Sequence, residues 1–260
     1  MKTETTIELN EYFKKALDII ENSDKNIFIT GRAGTGKSTL LTYLRKTTGK
    51  NMVYLAPTGV AAVNIKGQTI HSFFRFKPNI TYDKIKKLSS KKADNIYKKL
   101  DAIVIDEISM VRADLLDYID RFMRLNGNNK DLPFGGAQMI FIGDLYQLPP
   151  VVTGPEREIF RSQYQSRYFF DAKALADFSM EFIELEKIYR QSDADFIELL
   201  NAIRNNTVTD EQLGLLNERL KKDYELNTDE LSIYLTTTNK MARSINDTQM
   251  RKLSSKLKSY

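Results

Sequence analysis

The chain has 260 residues, 42% hydrophobic and 28% charged, with a formal net charge of +5, a balance that fits a water-soluble protein with one large core or one core plus a small appendage. It has no cysteine and a single histidine, His71, which excludes disulfides, thiolate metal sites and histidine-based zinc clusters. No stretch approaches the length of a membrane span and the polar N-terminus resembles neither a signal nor a transit peptide, so a reducing, cytoplasmic setting without membrane contact is expected.

The first predicted element is a helix that buries Phe13, Leu17 and Ile20. A buried strand, Asn26–Thr30, follows, and then Gly31-Arg32-Ala33-Gly34-Thr35-Gly36-Lys37-Ser38, which fits the phosphate-loop pattern G-x-x-x-x-G-K-[ST] at every required position. The run Ser38–Leu44 behind it has helical character. Strand, glycine loop and helix are together the context the pattern needs: glycines let backbone N–H groups turn toward phosphates, and the helix N-terminus adds partial positive charge. Gly31, Ala33, Gly34, Thr35, Gly36, Lys37, Ser38 and Thr39 are therefore the candidate triphosphate-binding residues, with Lys37 as a point charge between phosphates and the Ser38 hydroxyl as a magnesium ligand.

A second strand, Asn51–Ala56, leads into Pro57-Thr58-Gly59, and Gly67-Gln68-Thr69-Ile70-His71-Ser72 comes soon after. The segment Ser72–Leu100 carries nine basic residues against Asp83 and Asp94, a local charge of +7, interleaved with Phe73, Phe74, Phe76, Tyr82 and Tyr97. Bases mixed with aromatics suit a polyanion whose bases stack, Lys86 and Lys87 lying at its centre; a solvated lysine-rich surface is the alternative reading.

The third strand, Ala102–Asp106, ends in Asp106-Glu107. An apolar strand closing on two carboxylates beside a phosphate loop is the Walker B arrangement, in which Asp106 binds magnesium and Glu107 activates water. The fourth strand, Gln138–Asp144, leads to Gln147, whose amide is placed to sense a γ-phosphate, and Pro149 and Pro150 stiffen the exit. Glu181–Glu186 is a fifth strand. Strands alternating with helical patterns imply a mostly parallel α/β sheet. Later, Phe196, Leu199, Leu200 and Ile203 follow helical spacing, and Thr209 with Gln212 forms a capping-box signature for a helix bearing Leu213, Leu216 and Leu220. Both helices are expected to clad the core. Lys221–Glu230 is the best candidate linker, followed by an expected strand, Leu231–Thr237, and a helical segment from Asn239.

These elements, with Asp131-Leu-Pro-Phe-Gly-Gly-Ala-Gln138 and Ile188-Tyr189-Arg190-Gln191, resemble the N-terminal half of DNA helicases of the petite-integration-frequency (Pif) family in superfamily one, from about Leu17 to Asn246. The resemblance implies a RecA-like motor domain over residues 1–225, with a small basic wedge inserted at about 72–100. It implies that 226–260 are a linker and the start of a second motor domain. It further implies ATP and magnesium as cofactors, single-stranded and tailed duplex DNA as partners, 5′ to 3′ unwinding and a monomer. Without a targeting segment, a bacterial source is expected.

By matching position, Pro57, Thr58, Gly59, Thr69 and His71 contact the DNA backbone, although His71 can also be read as a packed histidine. Arg190 acts as an arginine finger and Tyr189 stacks near adenine. The family's adenine-reading glutamine is missing from Leu9-Asn10-Glu11-Tyr12, which leaves base selectivity open. Since the later motifs of the family are not in the sequence, these 260 residues alone are expected to hydrolyse ATP poorly. Two rival readings stand beside this one: a DNA-binding switch or loader ATPase that does not unwind, and a small-molecule phosphotransferase.

Overall fold

Strands that are apolar at every position need cover on both faces, and the fold meets that need with a layer of helices on each side of one sheet. The structure, a computed structural model, describes residues 10–89, 96–187, 194–220 and 233–252. The chain divides into two compact units, Met1–Thr207 and Val208–Tyr260.

The first unit contains six parallel strands: β1 (Asn26–Gly31), β2 (Met52–Ala56), β3 (Gln68–Thr69), β4 (Ala102–Ile105), β5 (Gln138–Ile142) and β6 (Met180–Leu185), in the order β3-β2-β4-β5-β1-β6. Every expected strand in this unit forms. The two-residue β3 is too short to leave a periodic signal and comes from the structure alone.

Alternate residues face opposite layers. Ile27, Ile29, Val104, Ile140 and Ile142 pack with Phe13, Ala16 and Ile20 of α1 (Glu11–Asn22) and with Leu40, Leu41 and Leu44 of α2 (Lys37–Thr47). Leu17 is only partly buried there. Phe28, Ile103, Ile105, Met139 and Phe141 face the other layer, where α4 (Ile70–Phe74) and α5 (Ala113–Asn126) lie. The short α3 (Gly59–Asn64) follows β2, and α6 (Arg157–Gln163) follows the proline-rich exit of β5.

The basic segment departs from its expected role. Phe73, Phe74, Phe76 and Tyr97 are each less than 10% exposed and pack edge-on or stacked with one another and with Phe122 of α5. Tyr97 also donates its hydroxyl to the Phe73 carbonyl at 2.8 Å. These four rings therefore belong to the core and are closed to base stacking. Tyr82 is exposed, but the Arg121 guanidinium lies 4.1 Å from its ring centre.

α5 buries three aspartates, each with a partner. Asp114 is paired with Arg112 at 2.7 Å, Asp117 accepts from the Tyr164 hydroxyl at 2.6 Å, and Asp120 pairs with Arg124. Asp120 also accepts from the backbone N–H of Phe134 at 2.7 Å. That bond explains the Pro-Phe-Gly-Gly signature. Phe134, Gly135 and Gly136 all have positive φ, Phe134 is fully buried, and a Cβ on Gly135 would lie 2.5 Å from the Met123 carbonyl oxygen. The signature is thus a latch that ties the C-terminal end of α5 to the start of β5.

The late helices α7 (Ala194–Asn205) and α8 (Asp210–Asn217) form, and the Thr209–Gln212 capping box is made in both directions. On α7 the cladding is partial: Leu199 is buried, but Leu200 and Ile203 are exposed; α8 ends at Asn217, before Leu220. In the second unit, α8 and α9 (Asn239–Arg251) bury no residue. Two helices have too little apolar surface to build a core. The expected strand Leu231–Thr237 does not form over 233–236, and 231–232 lie outside the described residues. An edge with no neighbour to complete its hydrogen bonds does not make a strand.

Gly135→Ala should lower stability by roughly 1–3 kcal/mol, the cost of holding a side chain in a left-handed conformation against a carbonyl. Urea unfolding should show a lower midpoint with an unchanged slope; an unshifted midpoint would remove the latch from this account.

Candidate nucleotide and nucleic-acid site

In a parallel sheet all strands end on one edge, and loops leaving that edge form the ligand crevice where successive connections run in opposite directions. Here the connection after β1 runs toward β2 on one side, and the connection after β5 runs to β6 on the other. β1 and β5 are neighbours, paired through Ile29 and Ile142. The loops after β1, β4 and β5 carry the predicted phosphate chemistry.

The phosphate loop turns through positive φ at Gly31, Gly34 and Gly36. Gly31 has no room for a side chain: a Cβ there would stand 2.6 Å from both the Leu185 carbonyl oxygen of β6 and Thr35 Oγ1. Thr35 is buried and donates its hydroxyl to the Arg32 carbonyl at 2.9 Å, tightening the curl, while Ala33, Ser38 and Thr39 are exposed around it. Lys37 begins α2, and its ammonium donates to the carbonyls of Gly31 and Arg32, at 2.5 and 3.0 Å. Burial lowers the Lys37 pKa, opposed by the nearby charges of Asp144, Glu107 and Asp106. The loops after β4 and β5 thus converge on the lysine.

Asp106 follows the last residue of β4 and is 8% exposed. Burial, and then the adjacent Glu107 charge, raise its pKa from 3.8 to about 6. Glu107 holds a left-handed backbone, φ 52° and ψ 42°, a conformation costly for a side chain of this kind and concentrated at functional sites. Gly143 makes space for this turn, since a Cβ there would approach Ile108 Cγ2 at 2.9 Å.

Beyond β5, Asp144 is 2% exposed and gathers four donors. Oδ1 accepts from the Tyr146 N–H at 3.1 Å and from Arg204 at 3.0 Å; Oδ2 accepts from the Gln147 carboxamide at 3.2 Å, and its carbonyl from the Gln147 N–H at 3.0 Å. Burial alone would raise the Asp144 pKa, but Arg204, the Tyr146 N–H and Gln147 together hold it below the usual carboxylate range.

A groove of about 620 Å³ opens beside these loops, lined by Thr58, Val60, Ala61 and Asn64 on one side and by Glu107, Met110, Tyr146, Gln147, Leu148 and Pro149 on the other. The structure thus brings Thr58, Glu107 and Gln147 together. Pro57, Thr58 and Gly59 lie beside Thr69 because β2 pairs with β3 through Ala56 and Thr69. Both threonine side chains cap helices: Thr58 accepts from the Ala61 N–H at 3.3 Å and Thr69 from the Ser72 N–H at 3.1 Å. A capping hydroxyl still has its own proton to donate.

His71 opens on a different cavity of about 580 Å³, shared with Tyr82, Arg112, Tyr118 and Glu156 among others. It is half-buried, and burial lowers its pKa. Lys86 and Lys87 are exposed, their backbone held to α5 because Asn126 donates to the Lys86 carbonyl and accepts from the Leu88 N–H. Tyr189 and Arg190 lie outside the described residues. Sequence reasoning missed Arg204, Gly143 and Tyr146. An Asn-Ala-Ile-Arg run at a helix end carries no signal of a carboxylate sixty positions away.

A phosphate loop after β1, a Walker B carboxylate pair after β4 and an amide-bearing loop after β5, all on one edge of a parallel sheet, define a RecA-like α/β nucleotide-binding domain. The chain belongs to the PIF1-like helicase family, whose model matches residues 6–214. It is 37% identical over 222 residues to the ATP-dependent DNA helicase PIF1 of Saccharomyces cerevisiae (strain YJM789), a match covering 81% of this chain and 25% of that one. It is similar to the crystal structure of Pif1 helicase from Bacteroides in complex with ADP-AlF3 and ssDNA, with a TM-score of 0.88, 39% identity, and coverage of 96% of this chain and 58% of that one. The structure describing DNA unwinding at forked dsDNA by two coordinating Pif1 helicases matches with a TM-score of 0.84 and 41% identity, covering 94% and 58%. The chain therefore spans a quarter of the yeast helicase and little more than half of the solved relatives. Among the described residues no helix is long and apolar enough to cross a membrane.

The raised Asp106 pKa fixes the sign of a pH effect. Between pH 3.8 and about 6 the folded state retains a proton that the unfolded state has released, so stability falls as pH rises through this window. Asp106→Asn, measured in EDTA, should therefore be more stable than the parent above pH 6, by on the order of 1–3 kcal/mol. The difference should vanish near pH 4. Matching melting temperatures for variant and parent at pH 7.5 would contradict the buried-carboxylate reading of Asp106.

Proposed function

We propose that this chain is the ATP-binding motor portion of a DNA helicase that couples ATP hydrolysis to 5′ to 3′ movement on single-stranded DNA and unwinding of tailed duplex. The observation that carries the reading is the convergence of Lys37, Asp106, Glu107 and Asp144 at adjacent strand ends, with Thr58 and Gln147 on the same groove. Support also comes from the relatives, which are described as ATP-dependent helicases and as complexes with ADP-AlF3 and ssDNA.

In this reading the N–H groups of Ala33 to Thr39 and the Lys37 ammonium hold the β- and γ-phosphates. The residues present suit magnesium: one carboxylate whose pKa is raised by burial, and the exposed Ser38 hydroxyl at the helix start. Magnesium takes one or two carboxylates together with substrate phosphates and needs no all-protein cage; among the described residues no such cage of three or more His, Cys, Asp or Glu exists. When bound, the ion supplies neutralisation of phosphate charge.

Glu107 accepts the proton of the attacking water and Gln147 orients that water and registers loss of the γ-phosphate. Arg190 adds positive charge to the transition state, and Tyr189 stacks against the base. Pro57, Thr58, Gly59, Thr69 and His71 hold DNA phosphates without reading sequence. Lys86 and Lys87 extend that hold electrostatically.

In the complete helicase, Glu107→Gln should keep affinity for a fluorescent ATP analogue while lowering DNA-stimulated phosphate release by about 10² to 10⁴, because an amide cannot take the water's proton. Normal turnover in that variant would remove Glu107 from the base role. Strand displacement on a 5′-tailed duplex by the complete gene product separates a helicase from a switch or loader ATPase, which would hydrolyse ATP without product strand.

Replacing Lys86 and Lys87 with Ala should reduce the slope of log affinity for single-stranded DNA against log salt by about 1.4, at about 0.7 for each phosphate no longer neutralised. An identical slope would leave the two lysines as a solvated surface.

A further inference from the structure

Arg204, in the last turn of α7, lies beside the phosphate loop although nothing in its sequence setting points there. One terminal nitrogen donates to Asp144 Oδ1 at 3.0 Å, and the guanidinium carbon sits 4.0 Å from the centre of the Tyr146 ring. Its side chain is 16% exposed, and the buried Nε finds no partner among the described residues. The carboxylate it meets also holds the Gln147 carboxamide. Of the carboxylates around Lys37, Asp144 attracts it most strongly, whereas Arg204 repels it.

The charges acting on Lys37 are thus Asp144, Glu107 and Asp106 against Arg204, with Arg32 a further cation within the loop itself. Without Arg204, Lys37 would face the three carboxylates with no second cation bonded to Asp144, and its charge would be drawn toward Asp144 and away from a polyphosphate. A buried carboxylate stripped of its partner must recruit another cation or take up a proton, and Lys37 is the cation at hand. The planar guanidinium can bind Asp144 and lie across Tyr146 at once, as an ammonium cannot.

We propose that Arg204 is a positioning residue of the phosphate site: by neutralising Asp144 it leaves Lys37 to the phosphates and fixes the carboxylate that holds Gln147. This rests on the reading of Gly31–Ser38 as a triphosphate site. Arg204 acts through Asp144 and need not touch the nucleotide. A rescue should therefore be possible. Removing the charge of Asp144 as well as that of Arg204 frees Lys37 again, so the double variant should bind nucleotide better than the single one.

The test is equilibrium titration of the 260-residue chain with a fluorescent ATP analogue and magnesium, each variant's fold being checked by circular dichroism and thermal melting. Arg204→Ala should bind at least about tenfold more weakly than the parent, and Arg204→Ala with Asp144→Asn should return to within about threefold, the pattern of two directly coupled charges. Arg204→Gln, which keeps volume and a donor but no charge, should be as weak as Arg204→Ala and be rescued in the same way; it serves if the alanine variant does not fold. Parent-like affinity in Arg204→Ala or Arg204→Gln would overturn the proposal. A double variant as weak as the single one would also overturn it, by making Arg204 a direct ligand or a purely structural residue. If Lys37→Ala bound as tightly as the parent, the phosphate site itself would fall, and this proposal with it.

Discussion

The site depends on the register of three strands. β1, β4 and β5 must end level for Gly31, Asp106 and Asp144 to meet, and they do: Ile29 pairs with Ile142, and Phe141 with Ile105. A strand that is apolar on both faces carries little register information, because a one-residue slip exchanges one buried hydrophobe for another. The information lies at the opposite edge. Asn26 accepts the Met139 N–H at 2.9 Å, Gln138 donates to the Lys25 carbonyl at 2.6 Å, and Lys50 donates to the Gln138 side chain at 2.9 Å. Asp101 accepts the Asn51 N–H and, through its carbonyl, the Gln138 N–H. Each of these bonds would break on a slip, and the loss would leave the buried Gln138 side chain unpaired. The polar clamps at the amino ends thus hold the functional residues level at the carboxyl ends.

At the functional edge the balance is reversed. There the fold accepts groups that disfavour it: a buried Asp106 with a raised pKa, a left-handed Glu107 and an Arg204 Nε without a partner among the described residues. Asp144 differs, because its donors make its ionised form favourable inside the protein. Two buried carboxylates one strand apart therefore have opposite electrostatic characters. In one, Lys37 is too weak to offset burial, which suits a metal ligand; the other has Arg204 bonded to it and suits an anchor. The distinction follows from which donors reach each residue, and residue identity alone does not contain it.

The sequence revealed the elements whose signal is local. The phosphate loop is contiguous, its glycines are required by positive φ, and the strands that feed it are unbroken apolar runs, so fold class and the β1, β4 and β5 loops were legible. What failed depended on distant partners. Phe73, Phe74, Phe76 and Tyr97 lie among lysines in the chain and suggested a stacking surface, but Phe122 on α5 draws them inward. Leu200 and Ile203 follow the helical spacing of α7 yet stay exposed, with only Leu199 buried. Arg204 was invisible because its partner is sixty residues away. Thr58 and Thr69 were legible as hydroxyls on a strand edge; their capping of α3 and α4 needed coordinates.

Burial of the aromatics also changes how the basic segment can act. With four of its rings inside, the segment offers mainly Arg75, lysines and the exposed Tyr82 among the described residues, so a polyanion there is held chiefly by charge. Rigidity compensates for the absent stacking. The rings fasten the chain to α5, and Asn126 fixes the backbone beside Lys86. An ammonium on a fixed backbone has fewer conformations to surrender than one on a mobile loop. The same buried rings also join the segment to the core that carries β4 and β5. A load on the lysines would therefore reach Phe122 and α5 before it reached the strand ends, and α5 is held to β5 by the Asp120–Phe134 latch. A continuous packed path thus runs from the basic surface to the strand that ends at Asp144. In the motor proposed here, that path is where DNA binding and phosphate chemistry would meet.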